Sequence, residues 1–166
     1  MQITPQPLTV QAFAPFGDVI EARDSTAISI NQGTARRFHD LAAVDVAAEG
    51  GHVLVNIFRA SPYPVPLMLK MMEKHPLGSQ LFMPLADNAF LVAVAPPSDA
   101  VQVDDIVVFA AQGGQGVNFR PGTWHHPLLA LDQQQDFLVV DRGGKGENLI
   151  EQGLDRIVAV MTQGII

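Results

Sequence analysis

The sequence predicts an all-β fold, an antiparallel sandwich or barrel with a few short peripheral helices. Three observations carry this. Four β-branched or aromatic runs, 53–58 (VLVNIF), 89–95 (AFLVAVA), 106–110 (IVVFA) and 136–141 (DFLVVD), are bounded by turn chemistry such as Ala86-Asp87-Asn88, Pro96-Pro97-Ser98 and Gly113-Gly114-Gln115-Gly116. The 14 glycines and 12 prolines are scattered along the chain, as turns between short strands require. Only 16% of residues are charged against 48% hydrophobic, too few charges for a helix bundle with an ion-paired surface. The gaps between runs are too short for βαβ crossovers, except around 59–88. At 166 residues, with no repeat and no linker-like stretch, residues 1–166 read as one domain.

In chain order, residues 8–14 (LTVQAFA) suit a short helix capped by Thr9, and Phe16-Gly17-Asp18-Val19-Ile20 enters a strand. Leu67–His75 (LMLKMMEKH), between Pro66 and Pro76, consists of strong helix formers, so propensity predicts a two-turn helix ending before Pro76. Residues 147–155 (ENLIEQGLD) predict another short helix near the C-terminus.

Composition also excludes functions. The chain has no cysteine, which removes disulfides, thiolate nucleophiles, Cys-type zinc sites and iron–sulfur clusters. Seventeen acidic against ten basic residues, a net charge of −7, argue against nucleic acid and anionic membranes as partners. No apolar run reaches the ~18–20 residues that span a bilayer. The start, MQITPQPLTVQAF, lacks a signal-peptide pattern, so a cytoplasmic protein is expected. There is no G-x-S-x-G elbow, Walker loop, H-E-x-x-H or Rossmann fingerprint, and no nucleotide or redox cofactor is expected.

Side-chain chemistry therefore falls largely to five histidines, His39, His52, His75, His125 and His126, and their polar neighbours. In Met72-Glu73-Lys74-His75-Pro76-Leu77-Gly78-Ser79-Gln80, a strand through 71–75 would put Glu73 and His75 on one face, as a metal site, an acid/base pair or a surface Glu-x-His. Gln80, seven residues past Glu73, has the wrong parity for one straight strand, so the Pro-Leu-Gly turn must re-phase the chain. In Gly116-Val117-Asn118-Phe119-Arg120-Pro121-Gly122-Thr123-Trp124-His125-His126-Pro127-Leu128, neighbours on a strand face opposite sides, so one of His125 and His126 points inward. The other orients it, meets substrate at the rim or is merely exposed. Asp141-Arg142-Gly143-Gly144 could bind an anion or be a turn-anchoring pair. Arg59 could grip a carboxylate bidentately if it points inward, or be a solvated strand end. His39-Asp40 reads as a capping or turn pair, and nothing recommends His52.

These two segments resemble the two cupin motifs: a ligand cluster with a turn and an apolar-Pro strand, then a glycine followed by Pro-Gly-x-x-His. Further blocks resemble the ureidoglycolate lyase family: Gly17-Asp18-Val19-Ile20, Ile30-Asn31-Gln32-Gly33, His39-Asp40-Leu41-Ala42, His75-Pro76-Leu77-Gly78-x-Gln80, Gln115-Gly116-Val117-Asn118, Trp124-His125-His126-Pro127-Leu128 and Asp136-Phe137-Leu138-x-x-Asp141-Arg142-Gly143-Gly144. The resemblance implies a cupin-type antiparallel β-barrel (double-sheet jelly roll) and a strand, not a helix, at 67–75. It also implies a homodimeric cytoplasmic enzyme of allantoin degradation that splits (S)-ureidoglycolate into glyoxylate and urea. Glu73 and His75 stand where a typical metal cupin has two histidines, and Gln80 where it has a glutamate; only His125 is of the usual type. A divalent metal on Glu73, His75, Gln80 and His125, nickel before manganese or zinc, is the implied cofactor.

The implied reaction needs a base for the substrate hydroxyl, an acid for the departing urea and donors for the carboxylate. The base falls to His75 or His125, and the acid to the other histidine or Glu73. Gln80 would bind the ureido group, His126 would meet substrate at the rim, and Arg59, Lys70 or Arg142 would hold the carboxylate. Two other classes fit the same residues: a metal-dependent cupin enzyme of another class, and a non-catalytic cupin that binds a small carboxylate.

Overall fold

A computed structural model describes residues 1–162. Its strands, in chain order, are β1 (Gln2–Ile3), β2 (Gln6–Pro7), β3 (Gly17–Ile20), β4 (Ile28–Ile30), β5 (Ala35–Arg37), β6 (His52–Ala60), β7 (Met68–Lys74) and β8 (Gln80–Pro84). They continue as β9 (Phe90–Ala95), β10 (Val107–Ala111), β11 (Gly116–Phe119), β12 (Trp124–His125), β13 (Leu129–Ala130), β14 (Gln135–Gly143) and β15 (Ile150–Val160). One α-helix, α1 (Val10–Phe13), and four short 3₁₀ turns complete the described elements. The Thr9 side chain caps α1 by accepting from the Ala12 N–H at 3.2 Å, as the sequence predicts.

Two sheets stack as in a jelly roll. The larger runs β1-β15-β7-β12-β9-β10-β2 with β13 also on β9, and the smaller runs β3-β11-β8-β14-β6. Phe82, Val117, Phe119, Phe137 and Val139 from the small sheet meet Phe90, Val92, Val94 and Phe109 from the large one in the interior. Phe90 and Phe137 pack edge to face at 5.1 Å. A second core covers the outer face of the large sheet, where Leu67, Val101, Val103, Ile106 and Leu131 from connecting segments lie on Met72, Ala93, Ala95 and Trp124. β9 is thus buried on both faces, which explains its unbroken apolar run. The four strands read from the apolar runs are β6, β9, β10 and β14, and 17–20 is β3.

Two propensity readings are corrected. Leu67–His75 does not make a helix; its Met68–Lys74 portion is β7, hydrogen-bonded to β15 on one side and β12 on the other. A two-turn helix is marginal on its own, whereas the strand gains two partners and buries Leu69 and Met72 fully. Residues 147–155 likewise give no helix. Ile150–Val160 is β15, pairing with β7 through a register shift and with β1. Among the described residues, no helix is long and apolar enough to cross a membrane.

Candidate active site

The two singled-out segments meet because β7 and β12 are neighbours. Glu73 stands directly opposite His125 in the antiparallel ladder, so both side chains take the same face of the large sheet. Met72 and Trp124, one residue earlier on each strand, take the outer face. The Pro121-Gly122 turn delivers this register. Gly122 sits at φ +80°, where a side chain is strained, and its N–H donates to the His75 carbonyl at 2.9 Å. The Pro76-Leu77-Gly78 turn carries the chain from β7 to β8 and re-phases it, so Gln80 faces inward with Phe82, towards Glu73. Gly78 is required by close approach, since a Cβ there would lie 2.6 Å from Arg142 Cβ.

Glu73, His75 and His125 each place one ligand-type atom within 4.8 Å of those of the other two. Gln80 and Glu73 line a cavity of about 490 Å³ with Phe58, Ser61, Phe82 and Leu128. The rings of Phe119, His125 and His75 are stacked, Phe119 on His125 at 4.4 Å and His125 on His75 at 5.3 Å. His75 Nδ1 lies 2.5 Å from the Asn148 carbonyl. A carbonyl only accepts, so Nδ1 carries the hydrogen, and Nε2 is the atom that holds the lone pair in the neutral ring. His75 Nε2, His125 Nε2 and Gln80 Oε1 are all buried without a hydrogen-bond partner. Such groups are costly unless a ligand or ion meets them.

Burial decides the charges. It pushes the Glu73 carboxyl up to about 7, with Glu151, its cross-strand neighbour on β15, adding to the shift. It pushes His125 down to about 3, helped by His75 and opposed by the His126 carbonyl. The 3.8 Å approach of His125 Nδ1 to Glu73 Oε1 is therefore a contact between a neutral imidazole and a half-protonated carboxyl at neutral pH, not an ion pair.

The remaining sequence candidates stand outside the Glu/His/His cluster. His126 is buried beside His125 but turns away, its Nδ1 on the Pro127 carbonyl at 2.9 Å and its ring edge-on to Tyr63 at 5.4 Å. Arg59 reaches the cavity rim, with Nε and Nη2 held by Asp136 at 2.7 and 2.8 Å. Lys70 is exposed on β7 and does not line the cavity. Arg142 is buried and spends its donors on the Ala48 and Lys145 carbonyls, fastening two loops. Asp141 does not pair with Arg142 but accepts from Asn56 Nδ2 at 3.0 Å. Sequence reasoning missed Phe119, Asn148 and Glu151. Phe119 stands just before the Arg-Pro-Gly turn and could have been found there, but no local pattern marks the other two.

The chain matches the family model described as ureidoglycolate lyase over residues 1–161. The chain belongs to the ureidoglycolate lyase family. It is similar to ureidoglycolate lyases of Burkholderia mallei (strain NCTC 10229; 56% identity over 90% of this chain and 87% of the relative) and Chelativorans sp. (strain BNC1; 51%, 90% and 90%). It also resembles that of Pseudomonas syringae pv. tomato (50%, 90% and 88%). The family resemblance of the sequence blocks is thereby confirmed, and the buried Glu/His/His cluster is a set that can hold a metal ion.

The raised Glu73 carboxyl has a stability consequence. The folded state holds its proton more tightly than the unfolded chain, so ionising Glu73 costs stability as pH rises from about 4.5 to 7. In metal-free protein, Glu73→Gln is expected to raise the Tm at pH 8 and leave it nearly unchanged at pH 4.5, by calorimetry. An equal shift at both pH values would contradict the assignment.

Proposed function

We propose that this chain, acting as one domain over residues 1–166, is a cytoplasmic lyase. It breaks the C–N bond of (S)-ureidoglycolate, giving glyoxylate and urea. One observation carries the mechanism: a free, buried lone pair on His75 Nε2 lies close to a carboxyl that is still half protonated at neutral pH. His75 takes the hydroxyl proton of the carbinol carbon. The O–H electron pair becomes the second bond of the aldehyde, the C–N pair leaves with the nitrogen, and Glu73 protonates that nitrogen. Proton return from His75 to Glu73 resets the site. His125, neutral and clamped by Phe119, packs against His75 and holds its ring. Such groups contribute ~10²–10⁴-fold each when placed correctly.

The donor set also fits a divalent cation. His75 Nε2, His125 Nε2, Gln80 Oε1 and the Glu73 carboxylate would hold it, and mixed N/O donors suit nickel first, then manganese or zinc. When bound, it supplies positive charge that lowers the pKa of the substrate hydroxyl and neutralises the carboxylate. This need is real, because Arg59, Lys70 and Arg142 are engaged or remote. Arg59 at the rim would reach the substrate carboxylate only by sharing its bonds with Asp136.

The working unit is a homodimer. The outer face of the small sheet supports this: Val53, Val55 and Ile57 are 52%, 67% and 55% exposed, with half-buried Leu138 and Val140 beside them on β14. An aliphatic sheet face of this kind is a usual association surface.

Purified protein with racemic ureidoglycolate is expected to give glyoxylate and urea in equal amounts and no ammonia. His75→Ala is expected to lower kcat/KM by roughly 10²-fold or more. Absence of turnover with and without added nickel or manganese would overturn the lyase reading, and a change under twofold would remove His75 from its role. Loss of activity in EDTA would make the cluster a metal site. Light scattering is expected to show a dimer that Val55→Asp converts to monomer; a wild-type monomer would refute the dimer.

A further inference from the structure

The small sheet carries a row of hydrogen-bonding groups beside Gln80 that the mechanism above leaves unused. Phe82 and Val139 are cross-strand partners on β8 and β14, and both face the interior core. Two residues along each strand, the same face carries Gln80 and Asp141, one step beyond the last ladder pair Leu81–Val140. On β6, Asn56 stands opposite Val139, on that same face, and its Nδ2 donates to Asp141 Oδ1 at 3.0 Å. Arg142, next in the chain, points to the other side and is consumed by backbone carbonyls. Among the described residues, the Asp141 carboxylate therefore has no cation as a hydrogen-bonded partner. It is fixed by an amide and keeps its second oxygen free.

The composition of this row is specific. Gln80 Oε1, Asp141 Oδ2 and Asn56 Oδ1 are acceptors, and Gln80 Nε2 is a donor. A ureido group presents the complement, several N–H donors and a single carbonyl acceptor. A carboxylate-bearing fragment presents the opposite and is repelled by Asp141. The Glu/His/His cluster lies across the interior on the large sheet; of the row only Gln80 lines the cavity it shares with Glu73, and Asp141 and Asn56 continue the same sheet face next to Gln80.

We propose that Asp141, held by Asn56 beside Gln80, is the ureido-recognition residue. It accepts the N–H groups of the urea half of the substrate, turns the carboxylate away and so presents the carbinol carbon to His75 and Glu73. This rests on the lyase reading for the identity of the substrate, but the binding preference it assigns to the row can be tested without turnover.

The experiment is calorimetric binding of urea and of glyoxylate, separately, to wild type, Asp141→Asn and Asn56→Ala, with kcat and KM for ureidoglycolate alongside. Asp141→Asn is expected to weaken urea roughly ten-fold or more, the usual effect of losing a charged hydrogen bond, and to leave glyoxylate unchanged or tighter. KM for ureidoglycolate rises in parallel. Asn56→Ala, which frees the carboxylate without removing it, is expected to weaken urea by a few-fold only. Equal affinity of urea for wild type and Asp141→Asn, or equal weakening of both ligands, overturns the proposal. Urea binding that depends on Asp141 in a wild type without turnover upholds it while overturning the lyase reading.

Discussion

Three polar atoms taken out of water without partners are what the rest of the structure is arranged around. His75 Nε2, His125 Nε2 and Gln80 Oε1 are buried and unbonded, and burial pushes the neighbouring Glu73 carboxyl up to about 7. Leaving such atoms unpaired costs ~1–3 kcal/mol each. That cost is offset by the apolar material around the cluster, the Phe119 ring on one side and the two-layer core beyond it. The same dry surroundings set the chemistry, since they keep the His125 imidazole neutral and the Glu73 carboxyl half protonated at neutral pH. Exposed to solvent, Glu73 would be fully ionised at neutral pH.

Holding the cluster open also needs rigid surroundings. β7 is paired on both sides, β12 is fixed against it by the Glu73–His125 register, and the Gly122 N–H ties the second motif to the His75 carbonyl. Asn148 completes the frame from the far end of the chain. Its carbonyl orients His75, while its side-chain oxygen accepts from the Leu77 N–H at 2.8 Å, so one residue holds both the base and the turn that delivers Gln80.

Much of this was legible in the sequence. The apolar runs and their turns marked β6, β9, β10 and β14, because β-branched residues bounded by Gly and Pro have few other uses. The parity argument for His125 and His126 was right that one turns inward. Period also put Glu73 with His75, provided the segment was a strand. Local propensity misread that segment and 147–155, because the decisive partners, β15 for β7 and β7 for β15, are some eighty residues apart. Charge was the least legible property. Arg142 looked like a carboxylate grip but is turned outward to carbonyls, and the shift of Glu73 comes first from burial and then from Glu151, a residue no motif includes.

Glu73 still holds its proton about half the time at neutral pH, whereas a bound cation requires that proton to leave, so an acid and a metal ligand at this position have opposite pH signatures. The measurement that separates them is the pH dependence of kcat/KM in metal-depleted enzyme. Acid catalysis by Glu73 predicts activity that falls as pH rises through about 7, and a limb that disappears in Glu73→Gln along with most of the rate. Activity that instead rises through pH 7 to a plateau, and returns only with added metal, would contradict the acid role and make Glu73 a ligand.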